Sequence, residues 1–293
     1  MTRRNFSFAC RAGALVVASV LALAGCHLAT PAERNAIPIA EKNTVARGGL
    51  AAWRAVASMS LSGRLEAGKP RDPVKLAMAY SQPENQAKLQ ARMAVLRGST
   101  TATVSAADKS VQLPYVMEMK RPRKSRVEVR FRGQTAIQVF DGTTGWKVRP
   151  FLGRHEVEPY NAEEMRIAAQ QTELDGPLMD YAAKGSRLEL VGNEPVEGHD
   201  AYKLRITSDT GMSRQVWVDA QTFLDVMIDG TRTMDGKLRS VRTVFRDYKP
   251  VGGLMIPHVL ETTVEGVKGS EKIVIEHVTI NPKLDDARFA KPE

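Results

Sequence analysis

The hydrophobic and polar positions fall into two periods. Met59, Leu61 and Leu65 alternate along Met59 to Ala67 as one face of a strand. From Pro114 onward, short alternating segments follow one another with turn residues between them every eight to twelve positions or so, the signature of a meandering antiparallel sheet. The segments are Tyr115 to Lys120, Ser125 to Arg132, Thr135 to Phe140, Gly145 to Arg149, Arg187 to Val191 and Asp200 to Ser208. Arg214 to Asp219, Phe223 to Asp229, Leu238 to Tyr248, Leu254 to Glu265 and Lys272 to Ile280 complete the set. Turns fall at Arg121-Pro122, Gly133 and Asp141-Gly142.

Helical spacing is confined to a few places. Leu50, Trp53, Val56 and Ala57 predict a first helix behind Thr44, ending near Ser58, although Gly48 and Gly49 weaken it. Asn161 and Glu164 stand at capping-box spacing ahead of a helix to about Gln171, and Pro177 opens a second from Asp175 to Ala183. Between Gly68 and Gln112 the strand pattern is lost. Ser81, Pro83 and Glu84 with Leu89, Met93 and Leu96 predict a helix over 82–97, an excursion from the sheet.

The amino-terminal stretch belongs to neither period. Arg3, Arg4 and Arg11 flank an apolar run from Ala12 to Ala24 that is too short to span a bilayer and reads as an export signal over 1–25. It ends in Leu23-Ala24-Gly25-Cys26, which resembles the lipobox of bacterial lipoproteins. That resemblance implies that Cys26 carries acyl chains, palmitate among them, and becomes the mature amino terminus, with 26–43 as lipidated cysteine and tether and 44–293 as one domain. Several acyl chains hold a soluble domain on a membrane where one would bind only marginally. His27 in place of aspartate implies, by the same resemblance, passage to the outer membrane on the periplasmic side. The leader's Arg3-Arg4 pair leaves the general and twin-arginine export routes both open.

Composition narrows the function. Taking the three leader arginines from the net charge of +9 leaves +6, compatible with attraction to anionic headgroups and equally with solubility alone. No basic helix or basic and aromatic alternation points to nucleic acid. With Cys10 lost in the leader and Cys26 acylated, no thiol chemistry remains. His155, His199, His258 and His277 are isolated, no serine sits in a nucleophile elbow, and no phosphate loop is present, so neither metal nor cofactor is called for. Asp285 and Asp286, neighbours on an extended chain, read as a turn or cap. Arg126, Arg130 and Arg132 share one strand face, which suits a solvated outer surface or anionic headgroups.

Six stretches in order, KRPRKSRVEVRF (120–131), VFDGTTGWKV (139–148), VEGHDAYKLRI (196–206), VWVDAQTFLDV (216–226), GLMIPHVLE (253–261) and INPKLDDARFAKP (280–292), resemble the outer-membrane lipoprotein-sorting superfamily of LolA-like proteins. The resemblance implies a mainly β fold, a curved antiparallel half-barrel of about eleven strands whose concave face is closed by a helical lid over 161–184. It further implies an apolar cavity for acyl chains. The excursion at about 68–112 and the anchor on Cys26 depart from the superfamily pattern and make the chain more like an anchored acceptor or sensor than a shuttle.

Residues expected to point into such a cavity are Val129, Ile137, Val139, Trp146, Ile206, Val216, Val218 and Phe245 from the strands, with Met165 and Met179 from the lid. Val127, Val148, Leu204, Val226, Ile228 and Val259 share that parity, and Ile167, Leu178 and Tyr181 share the lid. Ordinary core packing explains each of them singly. The reading is a non-enzymatic envelope lipoprotein that binds acyl chains of lipoproteins or other lipids as carrier or acceptor. The alternative is a stress sensor or interaction protein that uses the same fold to bind an envelope partner. An enzyme would instead need converging buried polar groups in the cavity. Metabolic labelling with palmitate is expected to mark the native chain and to be lost in Cys26→Ser, which should leave the membrane fraction. Label retained by Cys26→Ser would contradict the anchor.

Overall fold

The computed structural model describes residues 30–67, 111–171, 173–234 and 237–293. The leader, Cys26 and the helix expected over 82–97 lie outside them. The described chain is mainly β, an open, curved antiparallel sheet. Its strands are β1 (Ser58–Ala67), β2 (Val111–Lys120), β3 (Lys124–Phe131), β4 (Gln134–Phe140), β5 (Gly145–Arg149) and β6 (Arg154–Pro159). They continue as β7 (Arg187–Asn193), β8 (Ala201–Thr207), β9 (Ser213–Asp219), β10 (Asp225–Met234), β11 (Lys237–Val251), β12 (Leu254–Val264) and β13 (Ser270–Ile280). The order across the sheet is β6-β5-β4-β3-β2-β1-β13-β12-β11-β10-β9-β8-β7. Twelve of these strands follow the hydrophobic alternation. The one it missed, β6, carries Arg154, His155, Glu156 and Glu158 on an edge, where charge rather than alternation is the usual composition.

Two meanders meet where β1 pairs with β13, Met59 opposite Ile280 and Leu65 opposite Ile273. The register shifts at Ser62/Gly63, and a side chain at Gly63 would place its Cβ 2.0 Å from the Val274 carbonyl oxygen, so only glycine fits there.

The helices differ most from expectation. Residues 31–43, read as tether, form most of α1 (Pro31–Ala46), whose buried face packs on the sheet. Thr30 and Glu33 close a reciprocal capping box, and Ala36, Ile39, Ala40 and Asn43 make a buried face. Pro38 inside the helix obscured that spacing. The helix expected from Thr44 to Ser58 is instead broken at Gly48 and Gly49, with φ of 112° and 88°, and resumes only as α2 (Leu50–Arg54). The break lets the chain approach the β11–β12 turn, where the Met255 amide donates to the Arg47 carbonyl. The third helix, α3 (Ala162–Gln171), forms as its capping box predicts. The helix expected over Asp175 to Ala183 is a run of turns, with Asp180 at a φ of 55° interrupting any helical ladder.

Packing on the inner face divides into two filled regions and one open one. Trp53, Val56, Met59, Met119, Met179 and Ile256 fill the region under α2. Ala36, Ile39 and Ala40 of α1 cover Leu188, Leu204, Val216 and Val218, with Leu178 beside them. Arg47 joins the two regions: it lies 3.5 Å from Asp225, donates to the Asp175 carbonyl and sits over the Trp53 ring, whose indole N–H donates back to the Arg47 carbonyl. Asn43 also donates to Asp225 and to the Phe223 carbonyl. On the outer face, Arg288 and Arg126 pair with Glu118 and Glu128, and Arg130 lies 3.7 Å from Glu128. Arg132, at a φ of 48°, leaves the strand face it was expected to share. Asp285 caps the closing 3-10 turn, Asp286–Phe289, as a capping role predicts.

The β4–β5 turn supplies a pH-dependent contribution. Burial alone would raise the Asp141 carboxyl, but hydrogen bonds from Thr143 and Thr144 outweigh it and hold it at about 2, against an ordinary 3.8. A carboxyl depressed on folding contributes stability that is complete above its ordinary range and lost as pH falls through the folded value. Asp141→Asn is therefore expected to be about 1–2 kcal/mol less stable at neutral pH and to show a flatter loss of stability between 3.8 and about 2 in acid-unfolding titrations.

Candidate functional site

Among the described residues, the part of the inner face that the helices leave uncovered borders a cavity of about 930 Å³. One wall is sheet. Leu65 of β1 stands opposite Leu113 of β2 and Ile273 of β13, Tyr115 opposite Val129, and Met117 opposite Val127, so alternate residues of four neighbouring strands converge on it. Phe245 and Leu260 continue that wall along β11 and β12. Phe131 and Phe151 meet edge to face at its rim, ring centres 5.7 Å apart. Tyr115 donates to the Met117 sulfur, and burial pushes its hydroxyl well above the ordinary range.

The opposite side is polar. Glu173, Lys184 and Ser186 come from the turn segment after α3, Asp209 and Thr210 from the β8–β9 turn, and Arg214 and Asp229 from β9 and β10. Lys184 bridges Glu173 at 3.2 Å and Asp175 at 3.0 Å. Burial pulls the Arg214 guanidinium below its ordinary value, and the nearby Glu173 and Asp229 carboxylates act against that.

Helix α3 lies between these two sides and lends the cavity Arg166, Ile167 and Ala169. Its attachment is polar. Lys147, nearly buried on β5, pairs with both oxygens of Glu164, the same residue that closes the capping box with Asn161. Across the cavity Arg166 reaches the Met212 sulfur at 3.3 Å while pairing with Glu163 on its own helix.

Of the residues singled out in the sequence, Val129, Ile206 and Phe245 line the cavity, with Val127, Val148, Ile167 and Ile228. Val216 and Val218 share the inner face but lie under α1, and Met179 is fully buried in the cluster around Trp53. Met165 is half-buried on α3, outside the cavity wall that its neighbours form. Ile137, Val139 and Trp146 stand elsewhere: Val139 is opposite Arg126 and Trp146, on the sheet's outer side, and Ile137 is opposite Glu128. Apolar residues are buried on that side too, Val139 fully, and the closing 3-10 turn with its buried Phe289 lies against β3. The two-residue turn at Arg132-Gly133 held the correct signal, since it sets Phe131 against Gln134 and hence Val129 against Ala136. Leu65, Leu113, Tyr115, Met117, Leu260 and Ile273 were missed. Among the described residues no cluster of three or more histidine, cysteine, aspartate or glutamate side chains is placed to hold a metal ion.

The fold is LolA-like. At 14% identity the chain superposes on a LolA superfamily protein from Nitrosomonas europaea with a TM-score of 0.52, over 87% of this chain and 97% of that one. A putative outer membrane lipoprotein-sorting protein domain from Vibrio parahaemolyticus matches at 12% identity and a TM-score of 0.50, over 88% and 97%. A DUF1329 family protein from Desulfovibrio piger matches at 13% identity and a TM-score of 0.52, over 89% and 98%. No family model and no curated protein matches the sequence.

Lys147→Ala is expected to release α3. Losing a charge-assisted pair of this kind costs about 1.5–3 kcal/mol, so amide exchange over residues 162–171 should quicken while β1 and β13 stay protected. Unchanged exchange in α3 would show that other contacts hold the helix.

Proposed function

We propose that the chain is an envelope lipoprotein, anchored through Cys26 to the periplasmic face of a membrane, that holds acyl chains of lipoproteins or other envelope lipids in its half-barrel. The observation that carries this reading is the unfilled apolar wall of a cavity large enough for a lipid. Burying apolar ligand surface there is worth roughly 25 cal/mol per Å² removed from water, and few polar groups are needed to orient it. A barrel filled with side chains would have favoured the sensor that binds a protein partner.

Polar groups on the far wall pair with one another, as Lys184 does with Glu173 and Asp175, which fits a wall that borders a ligand. Among the described residues no helix is long and apolar enough to cross a membrane; in this reading the lipid on Cys26 holds the domain at the membrane. Cargo would enter where α3 and the Phe131–Phe151 rim meet.

Ala136 faces the cavity beside Val129 and has room before it. In the full chain carrying Cys26→Ser, lipid extraction followed by mass spectrometry is expected to find co-purified acyl lipid. Ala136→Trp, which fills the space, should lower it roughly tenfold, the ratio that 1.4 kcal/mol of affinity gives. Lipid content unaffected by Ala136→Trp, with the fold verified by circular dichroism, would remove the cavity from the account.

A further inference from the structure

We propose that Gln138 is a specificity-determining residue of the cavity: its side-chain amide donates to the carbonyl oxygen of an acyl ester or acyl amide, and so favours carbonyl-bearing chains over chains without that acceptor. This rests on the acyl-chain reading above and deepens it.

The first ground is position. Gln138 lines the cavity from β4, opposite Val127 of β3 on one side and Lys147 of β5 on the other. It therefore stands where the apolar wall meets the polar attachment of α3, which Lys147 makes through Glu164. From β4 the wall crosses β3, β2 and β1 to Ile273 on β13, four strand spacings or roughly 19 Å of sheet. A chain whose carbonyl meets Gln138 can lie along that stretch, with its polar end beside α3 and its tail towards Leu65 and Ile273.

The second ground is that the chain itself makes no use of this amide. Neighbouring polar groups are engaged: Lys147 with Glu164, Arg149 with Glu158, Arg166 with Glu163 and Tyr115 with Met117. Among the described residues none forms a hydrogen bond with the Gln138 side chain, although it faces the cavity. Packing alone would be served by an apolar residue there, as it is by Val127 across the ladder and by Ala136 two positions earlier. An apolar ligand that displaces water from an amide leaves it unpaired, which costs free energy unless the ligand brings a partner. A carbonyl oxygen is such a partner, and a methylene is not. The residue thus discriminates mainly by penalising chains that leave its N–H groups unpaired.

The test is displacement of a fluorescent fatty acid from the full chain carrying Cys26→Ser. The competitors are methyl palmitate, N-methylpalmitamide and methyl hexadecyl thioether, whose sulfur is only a weak acceptor. Gln138→Leu is expected to weaken the ester and the amide relative to the thioether by about three- to tenfold, the loss of one neutral hydrogen bond. The ratio is read because a merely structural role would move all three competitors together. If Gln138→Leu does not fold, Gln138→Met, which also lacks the donor, serves in its place and should shift the ratio the same way. The carbonyl compound that suffers the larger loss identifies the linkage, ester or amide, that the residue reads. Ratios unchanged in the folded variant overturn the assignment to Gln138 and leave acyl binding intact. A probe that does not bind even with Gln138 in place overturns acyl binding, and this inference with it.

Discussion

The pairing of β1 with β13 is the constraint on which the rest of the structure depends. Without it the described strands are two separate meanders, β1 to β6 and β7 to β13, each with an inner face and nothing to close against. With it, Leu65 sits between Leu113 and Ile273, and one continuous apolar surface runs from β4 to β12. The bulge at Gly63 is where the two curvatures are reconciled, since extra local twist is what a bulge supplies and the Val274 carbonyl comes too near for any side chain.

Among the described residues, three helices cover part of that surface. Helices α1 and α2 fill the part over β7–β9 and the base of β1, β2, β12 and β13, and the Arg47 node fixes them to the strands. Burial pushes the Asp225 carboxyl up while Arg47 and Asn43 oppose it, so this node costs desolvation and gives position in return. Among the described residues the cavity is what α1 and α2 leave uncovered, and α3 borders it through polar contacts that need no hydrophobic core of their own. The same arithmetic explains why an apolar ligand would be retained: the uncovered wall is a region of core without its second layer.

Much of this was legible in the sequence, and the failures have physical causes. Strand positions followed alternation, because each strand has one face in a core. On β3 the alternation is plain: Val127 and Val129 line the cavity, and Arg126 and Glu128 between them are charged. On β4 the contrast inverts: Ala136 and Gln138 line the cavity while Ile137 and Val139 stand opposite Glu128 and Arg126, and Val139 is fully buried on that side. Polarity within one strand cannot reveal that, but the register imposed by the Arg132-Gly133 turn can. Helix α1 was hidden for a different reason. Its buried face is mostly alanine, Ala36 and Ala40 beside Ile39, and small residues at close helix–sheet contacts leave little hydrophobic signal. Residues that meet only through β1–β13 pairing, such as Leu65 and Ile273, lie too far apart in sequence for local pattern to unite them.

The account's central claim is that the uncovered part of the concave face is a dry binding site for acyl chains. Titration of the full chain carrying Cys26→Ser with a fatty acid bearing a fluorophore on its chain, followed by quenching with aqueous iodide, addresses that claim directly. The account predicts a single saturable site with blue-shifted emission, protected from iodide in the native cavity and lost when Phe131 and Phe151 at its rim are both replaced by glutamate. Binding that never saturates, or a bound probe quenched as readily as the free one, would contradict it.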